Sequence, residues 1–284
     1  MTGDRRMQNY ETPEPIRLRV DIPHGRIKVL AEETAVTRIE LTARHGDATA
    51  RAWIADAEIT QSGDDILVRV RKQGLALFGG GSIEAVVHAP LGSAARLCTG
   101  SGRVETIGRL GAVNAASGSG LIRLDDCAEA RAHTGSGDIV IAASAGSVDA
   151  KTGSGRISVG KVGADARIVT GSGHAELAEV AGNATLTTAS GNIEIGQAGD
   201  GLEAFAASGS IQVRRADHGR VRAKTLSGRI CVGVANGSAA LLDITTFSGR
   251  VNSDLQASDA PGDDEKRVEL VLSTMSGNVD VARA

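Results

Sequence analysis

The chain has little of what most protein cores of its length are built from. Its 284 residues include one Trp, one Tyr and three Phe. Aromatic rings normally fill irregular interior volume, so an interior here must be made of Ala, Val, Ile, Leu and Thr, and must be thin and regular. Long apolar runs are missing too. No stretch approaches the roughly 18 residues that a bilayer-crossing helix needs, and the opening Met1-Thr2-Gly3-Asp4-Arg5-Arg6-Met7-Gln8-Asn9-Tyr10 holds no apolar segment of signal-peptide type. The expectation is a chain that neither spans a membrane nor carries an export signal, and that works in the cytoplasm. Charge of one sign is also lacking: 31 Lys+Arg against 34 Asp+Glu give a net charge of −3. That balance excludes the basic footprint of a nucleic-acid binder and a polybasic membrane anchor. Cys98, Cys127 and Cys231 are too few and wrongly spaced for a metal or disulfide framework, so reduced thiols are expected.

What the chain does have is glycine, 37 residues, concentrated after residue 92. Composition therefore divides it into a lead, 1–92, and a repeat region, 93–284. Ten repeat units, each centred on Ser-Gly, place their serines at 101, 119, 136, 154, 172, 190, 208, 227, 248 and 276. Most steps are 18 residues, and the last is 28. With the serine as position zero, positions −6, −4 and −2 read Val148/Ala150/Thr152, Ala166/Ile168/Thr170 or Leu270/Leu272/Thr274, and positions +3 and +5 read Ile157/Val159, Ile193/Ile195 or Val279/Val281. Polar residues such as Arg156/Ser158 and Asn192/Glu194 lie between them. This is the period-2 pattern of strands with one face in water.

Each unit thus reads as strand, Ser-Gly corner, strand and Gly-containing turn. So short a unit cannot bury its apolar face alone, and the units must stack about 4.8 Å apart. The predicted fold is all-β, a β-solenoid of about ten 18-residue rungs. Glycine at +1 in every copy suits a corner needing positive φ. Threonine at −2 in eight of ten copies predicts an inward hydroxyl ladder, with the serines as a second one. The residue at −1 changes from Gly through Ala189 and Ala207 to Leu226, Phe247 and Met275, so the corner should widen toward the C-terminus. Residues 254–267 read as an exposed acidic insertion between two strands.

In the lead, Ile16–Ile22, Arg26–Leu30, Val36–Thr42, Ile66–Val70 and Ile83–His88 alternate like strands. Asp47–Ala55 is the one plausible helix, capped by Asp47 and anchored by Trp53. A β-rich lead of this kind should cap the first rung, because an open rung is an aggregating edge. One stretch breaks the alternation: Leu75, Leu77 and Phe78 precede a glycine run. They are candidate partner-binding residues, inserting into a protein groove or a membrane interface; the alternative is that they fold back over the end of the solenoid.

Little points to chemistry. The six histidines show no His-Glu-x-x-His or Cys/His spacing, so no metal site is expected. Position +2 varies too widely for a calcium-binding nonapeptide repeat. The Gly-x-Gly elements recur as corners without a following helix, unlike phosphate loops, and no serine sits in a nucleophile elbow. No catalytic residue, cofactor or enzymatic activity is expected.

The Thr-Gly-Ser-Gly-x-[Val/Ile]-x-[Val/Ile] units, the Gly79-Gly80-Gly81-Ser82-Ile83-Glu84 lead-in and the β-rich start resemble the bacterial "putative-adhesin" β-strand-repeat family, also called toastrack, a domain of unknown function. The resemblance covers nearly the whole chain and implies a β-solenoid without established catalytic residues. Some relatives carry membrane segments and are associated with envelope stress sensing, which implies a protein-interaction or scaffolding role for a monomer or weak oligomer. The alternative is a self-polymerising solenoid of bactofilin type, and a carbohydrate-binding adhesin or carbohydrate-active enzyme ranks below both.

Overall fold

A computed structural model describes residues 5–44, 47–72, 81–255 and 266–284. Contacts divide the chain into two compact units, 1–144 and 145–284. The compositional boundary at residue 92 falls inside the first unit, because the lead packs directly on the first repeats.

Unit 1 contains, in chain order, β1 (Arg5–Glu11), β2 (Arg17–Glu32), β3 (Val36–Ala43), α1 (Ala48–Ala55), β4 (Glu58–Ser62), β5 (Asp65–Arg69), β6 (Ile83–Pro90), β7 (Ala94–Ile107), β8 (Arg109–Ser119), β9 (Ile122–Ser136) and β10 (Ile139–Ser144). Strands β2, β7 and β9 are long because they run through a corner and serve two sheets. One sheet runs β4-β5-β2-β7-β8-β9 and the other β1-β3-β6-β2-β7-β9-β10. The repeat pairings are parallel, whereas β1–β3, β3–β6 and β4–β5 are antiparallel. Within the lead, β2 stacks on β7 in parallel and in repeat register, with Gly25 opposite Gly102, and only the strands beyond it, β3 and β4, reverse direction.

The helix forms where expected. Asp47 accepts from the backbone N–H of Ala50 at 2.8 Å and of Ser82 at 2.9 Å, and these two bonds hold its carboxyl below the usual range. Ala50, Trp53 and Ile54 are buried beneath the helix. At its C-terminal end, Arg6 donates to the carbonyls of Ile54, Ala55 and Ala57, which a cation suits.

Unit 2 contains β11 (Val148–Ser154), β12 (Ile157–Val162), β13 (Ala166–Ser172), β14 (Ala175–Val180), β15 (Asn183–Ser190), β16 (Ile193–Gln197), β17 (Gly201–Ser208), β18 (Ile211–Ala216), β19 (Gly219–Ser227), β20 (Ile230–Val234), β21 (Ser238–Ser248), β22 (Val251–Ser253), β23 (Lys266–Ser276) and β24 (Val279–Arg283). All its ladders are parallel. One runs β11-β13-β15-β17-β19-β23-β21 and the other β12-β14-β16-β18-β20-β24-β22.

The period-2 pattern explains the interior. Ile168, Leu186, Ile193, Ile195, Leu270 and Val279 are fully buried, while Phe205 and Phe247 of the repeats are exposed. Aliphatic side chains and threonines fill the rungs, as the scarcity of rings requires. The threonines of the ladder are turned inward, and in unit 2 Thr170, Thr188 and Thr225 donate to the corner-glycine carbonyls of Gly155, Gly173 and Gly209 in the adjacent rung, at 3.0–3.3 Å, whereas the buried hydroxyls of Thr99 and Thr134 in unit 1 find no partner among the described residues. The serines do not form a second inward ladder. Ser154, Ser172, Ser190 and Ser208 are exposed, because the glycine beside them turns the chain outward at the corner. Gly191 shows why that residue is glycine: its φ is +143°, and a Cβ there would overlap the carbonyl of Gly173 in the next rung.

The last two rungs are stacked in reverse chain order. β23 lies between β19 and β21, with Ser227 opposite Ser276 and Ser276 opposite Ser248. The 28-residue step is the excursion that lets the chain return to this inner seat. Composition decides which rung takes it. Val268, Leu270, Leu272, Val279 and Val281 are all buried, whereas β21 and β22 offer Ala240, Leu242, Ile244, Val251 and Ser253 at the same register positions. Burying the more apolar rung on both sides removes more apolar surface from water.

Candidate protein-interaction face

Reversed stacking turns the drift at position −1 into a surface feature. Leu226, Met275 and Phe247 each precede a corner serine, and those serines are in register in the order 227, 276, 248. The three side chains therefore form one outward column, about 4.8 Å per step, with exposures of 40%, 58% and 89%. The equivalent positions deeper in unit 2 are Ala207, Ala189 and Gly171. The column grows in size and exposure toward the terminal rung.

That rung adds a second element. Among the described residues β21 pairs only with β23 and β22 only with β24, so each presents one edge of unpaired backbone N–H and C=O groups. On the interior side Leu242 and Ile244 are half-buried where their partners Leu270 and Leu272 are fully buried, and Val251 is exposed. Outside, Leu241 is 69% exposed. An apolar column beside a bare strand edge can accept an added strand by backbone hydrogen bonding and hold it by side-chain contact.

Leu75, Leu77 and Phe78 lie outside the described residues. The sequence signal for the face found here was the drift at −1, which was legible as a widening corner but not as a column. Its order depends on the exchange of the last two rungs.

The groups that could carry chemistry are dispersed. Cys98, Cys127 and Cys231 are free thiols. Burial pushes the Cys127 thiol up to about 11, and burial followed by Asp280 raises that of Cys231, so neither favours the thiolate. His24 bonds Ser101 through Nδ1 at 2.6 Å, and burial, then Lys72, lowers its pKa. Asp217 is buried beside Lys266 at 3.1 Å and His218 at 3.1 Å. Burial raises its carboxyl, but the bonds from Lys266 and His218 outweigh burial and leave it below the usual range. Among the described residues no three His, Cys, Asp or Glu side chains are arranged to hold a metal, and no helix is long and apolar enough to cross a membrane.

Comparison with known proteins agrees with this architecture. The family described as Toastrack DUF4097 matches residues 18–282. No curated protein matches the sequence. Among solved structures, a "putative adhesin" from Bacteroides fragilis is 11% identical, with 100% of this chain and 98% of that chain covered and a TM-score of 0.43. A "putative adhesin" from Parabacteroides merdae is 11% identical over 98% and 96% of the two chains, at a TM-score of 0.41. A "putative lipid binding protein" from Parabacteroides distasonis is 12% identical over 98% and 97%, at 0.36. At that level of similarity these structures bear on neither partner nor ligand.

Proposed function

Because the chain belongs to the Toastrack DUF4097 family, we propose that it is a non-catalytic β-solenoid scaffold whose open terminal rung binds an extended apolar segment of a protein partner. One observation carries this reading: the exposed column Leu226, Met275 and Phe247 sits at the same end of unit 2 as the unpaired edges of β21 and β22. Exposed apolar side chains and open strand edges each draw partners, and soluble proteins usually hide both. The partner would be met in the cytoplasm, which cell fractionation checks.

A photo-cross-linking residue at Phe247, compared with one at the mid-stack position Thr187, tests this in the producing cell. An adduct with a second protein at 247 alone, lost when Met275→Ser and Leu226→Ser are added, is the expected result. No adduct at 247, or equal adducts at both positions, would overturn it. A homodimer adduct would move the reading to self-association. At the outer side of unit 1, β3 and β4 run antiparallel to β6 and β5 and count against an open filament, which needs repeat edges that accept another parallel rung.

A further inference from the structure

A separate feature of unit 1 points to a small-ligand site. A depression of about 450 Å³ opens on the outer face where β2, β3, β6 and β7 meet, and Arg26, Arg44, Arg103, Ser82, Thr42 and Glu84 line it. Three arginines come together here from segments far apart in sequence. Arg26 lies directly opposite Arg103 on one side and opposite Glu84 on the other. Two like charges in adjacent register are unfavourable unless something of opposite charge lies between them.

The carboxylates present do not fully meet that need. Arg26 is fixed by a short ion pair to Glu105 and a longer one to Glu84 at 3.7 Å. Its Nε is nonetheless buried without a hydrogen-bond partner. Among the described residues Arg44 makes no ion pair and no side-chain hydrogen bond, and Arg103 only a longer-range attraction to Glu105, which Arg26 already occupies. The three guanidiniums against Glu84 and Glu105 leave one net positive charge. A similar depression in unit 2, about 380 Å³, contains Arg220 and Arg222. There each arginine is already matched, Arg220 to Glu269 at 3.1 Å and Arg222 to Glu203 at 3.5 Å. Unmatched arginines thus mark the depression of unit 1 alone among these two.

We infer that the Arg26/Arg44/Arg103 depression binds a phosphate-class oxyanion carried on a small molecule or a lipid headgroup. Guanidiniums recognise such groups through paired, charge-assisted N–H donors. Arg26, held by its two carboxylates, is the fixed wall, and Arg44 and Arg103, exposed and without a close ion pair, are the arms. Ser82 and Thr42 belong to the same lining, although the Thr42 hydroxyl donates to Glu40 at 3.2 Å. A volume several times that of a phosphate group leaves room for the organic part of the ligand. This site is independent of the apolar face on unit 2.

The test is titration of the full chain with inorganic phosphate, followed by calorimetry and by the arginine Nε–H signals in NMR. Saturable binding with a Kd near about 1 mM, weakened about tenfold or more in Arg44→Gln/Arg103→Gln and unchanged in Arg220→Gln/Arg222→Gln, is expected. Both substituted pairs are exposed, and circular dichroism checks that each variant folds. Arg103→Lys should bind with intermediate strength, because it keeps the charge and loses the paired donors. Vesicles containing phosphatidic acid separate the sources: sedimentation that depends on Arg44 and Arg103 identifies a headgroup, and its absence alongside phosphate binding identifies a free ligand. No saturable response at about ten times that concentration, or binding that survives Arg44→Gln/Arg103→Gln, would overturn the inference.

Discussion

The first rung of unit 1 and the last rung of unit 2 meet the same problem and handle it differently. A stack of parallel strands ends in unpaired backbone and half-covered aliphatic side chains. In unit 1 the lead changes the strand direction, lays α1 against the end and makes the outermost strand mostly polar: β1 exposes Arg5, Asn9 and Glu11 around Met7, and Arg5 pairs with Glu40. In unit 2 no such change occurs among the described residues. The outer rung repeats the pattern of the one beneath it and adds Leu241 and Phe247 to its surface. The repeat itself does not protect its end; protection needs residues that depart from it.

Side chains of similar bulk should therefore matter very differently at the two ends. Trp53→Ala removes a buried anchor and should destabilise unit 1 by about 3–5 kcal/mol. Thermal unfolding followed by circular dichroism measures it, and a negligible shift would mean that the cap is not packed as described. Next in size is a pair in register within unit 2. Leu270→Ala, in the doubly covered rung, should cost about 2–4 kcal/mol, and Leu242→Ala, in the terminal rung, less than half of that. Equal losses in urea titrations would show that the terminal rung is covered in solution.

Asp217 gives the contrast a pH dependence. Its folded pKa lies below the unfolded value of about 3.9, so the stabilisation is present above that value and is lost as pH falls through the folded one. Asp217→Asn should remove roughly 1–2 kcal/mol at neutral pH and flatten the acid limb of the stability curve; an unchanged limb would mean that Lys266 and His218 do not hold this carboxylate. Arg6→Ala, which removes a donor to the carbonyls of Ile54, Ala55 and Ala57, should cost about 1 kcal/mol. The smallest effect belongs to Phe247→Ala, within about 0.5 kcal/mol. That substitution should show itself in partner binding alone.

Much of this was legible in the sequence. Glycine at +1 and threonine at −2 gave away the corners, the alternation gave the strands, and Asp47 with Trp53 marked the helix. All three are local patterns with a local physical cause. The order of the last two rungs was not legible, because strands with the same register pattern fit the edge of β19 equally well by pattern alone. Their relative burial is decided by how apolar Val279 and Val281 are beside Val251 and Ser253. The arginine depression was hidden for a related reason: positions 26, 44 and 103 become neighbours only once β2, β3 and β7 are stacked. Leu75, Leu77 and Phe78 stand out because they break the alternation, whereas Leu226, Met275 and Phe247 obey the spacing and read only as a wider corner.

The exchange of the last two rungs also has a kinetic consequence. A chain that emerges from its N-terminus presents β21 before β23 exists, and the bare edge of β19 is then an in-register template for it. Thr246-Phe247-Ser248-Gly249 matches Thr225-Leu226-Ser227-Gly228 in register as readily as Thr274-Met275-Ser276-Gly277 does. The native arrangement requires the early arrival to give up, or never to take, a place that suits it. Completion of this fold is therefore a competition between two strands for one edge, decided only once β23 and β24 have been made.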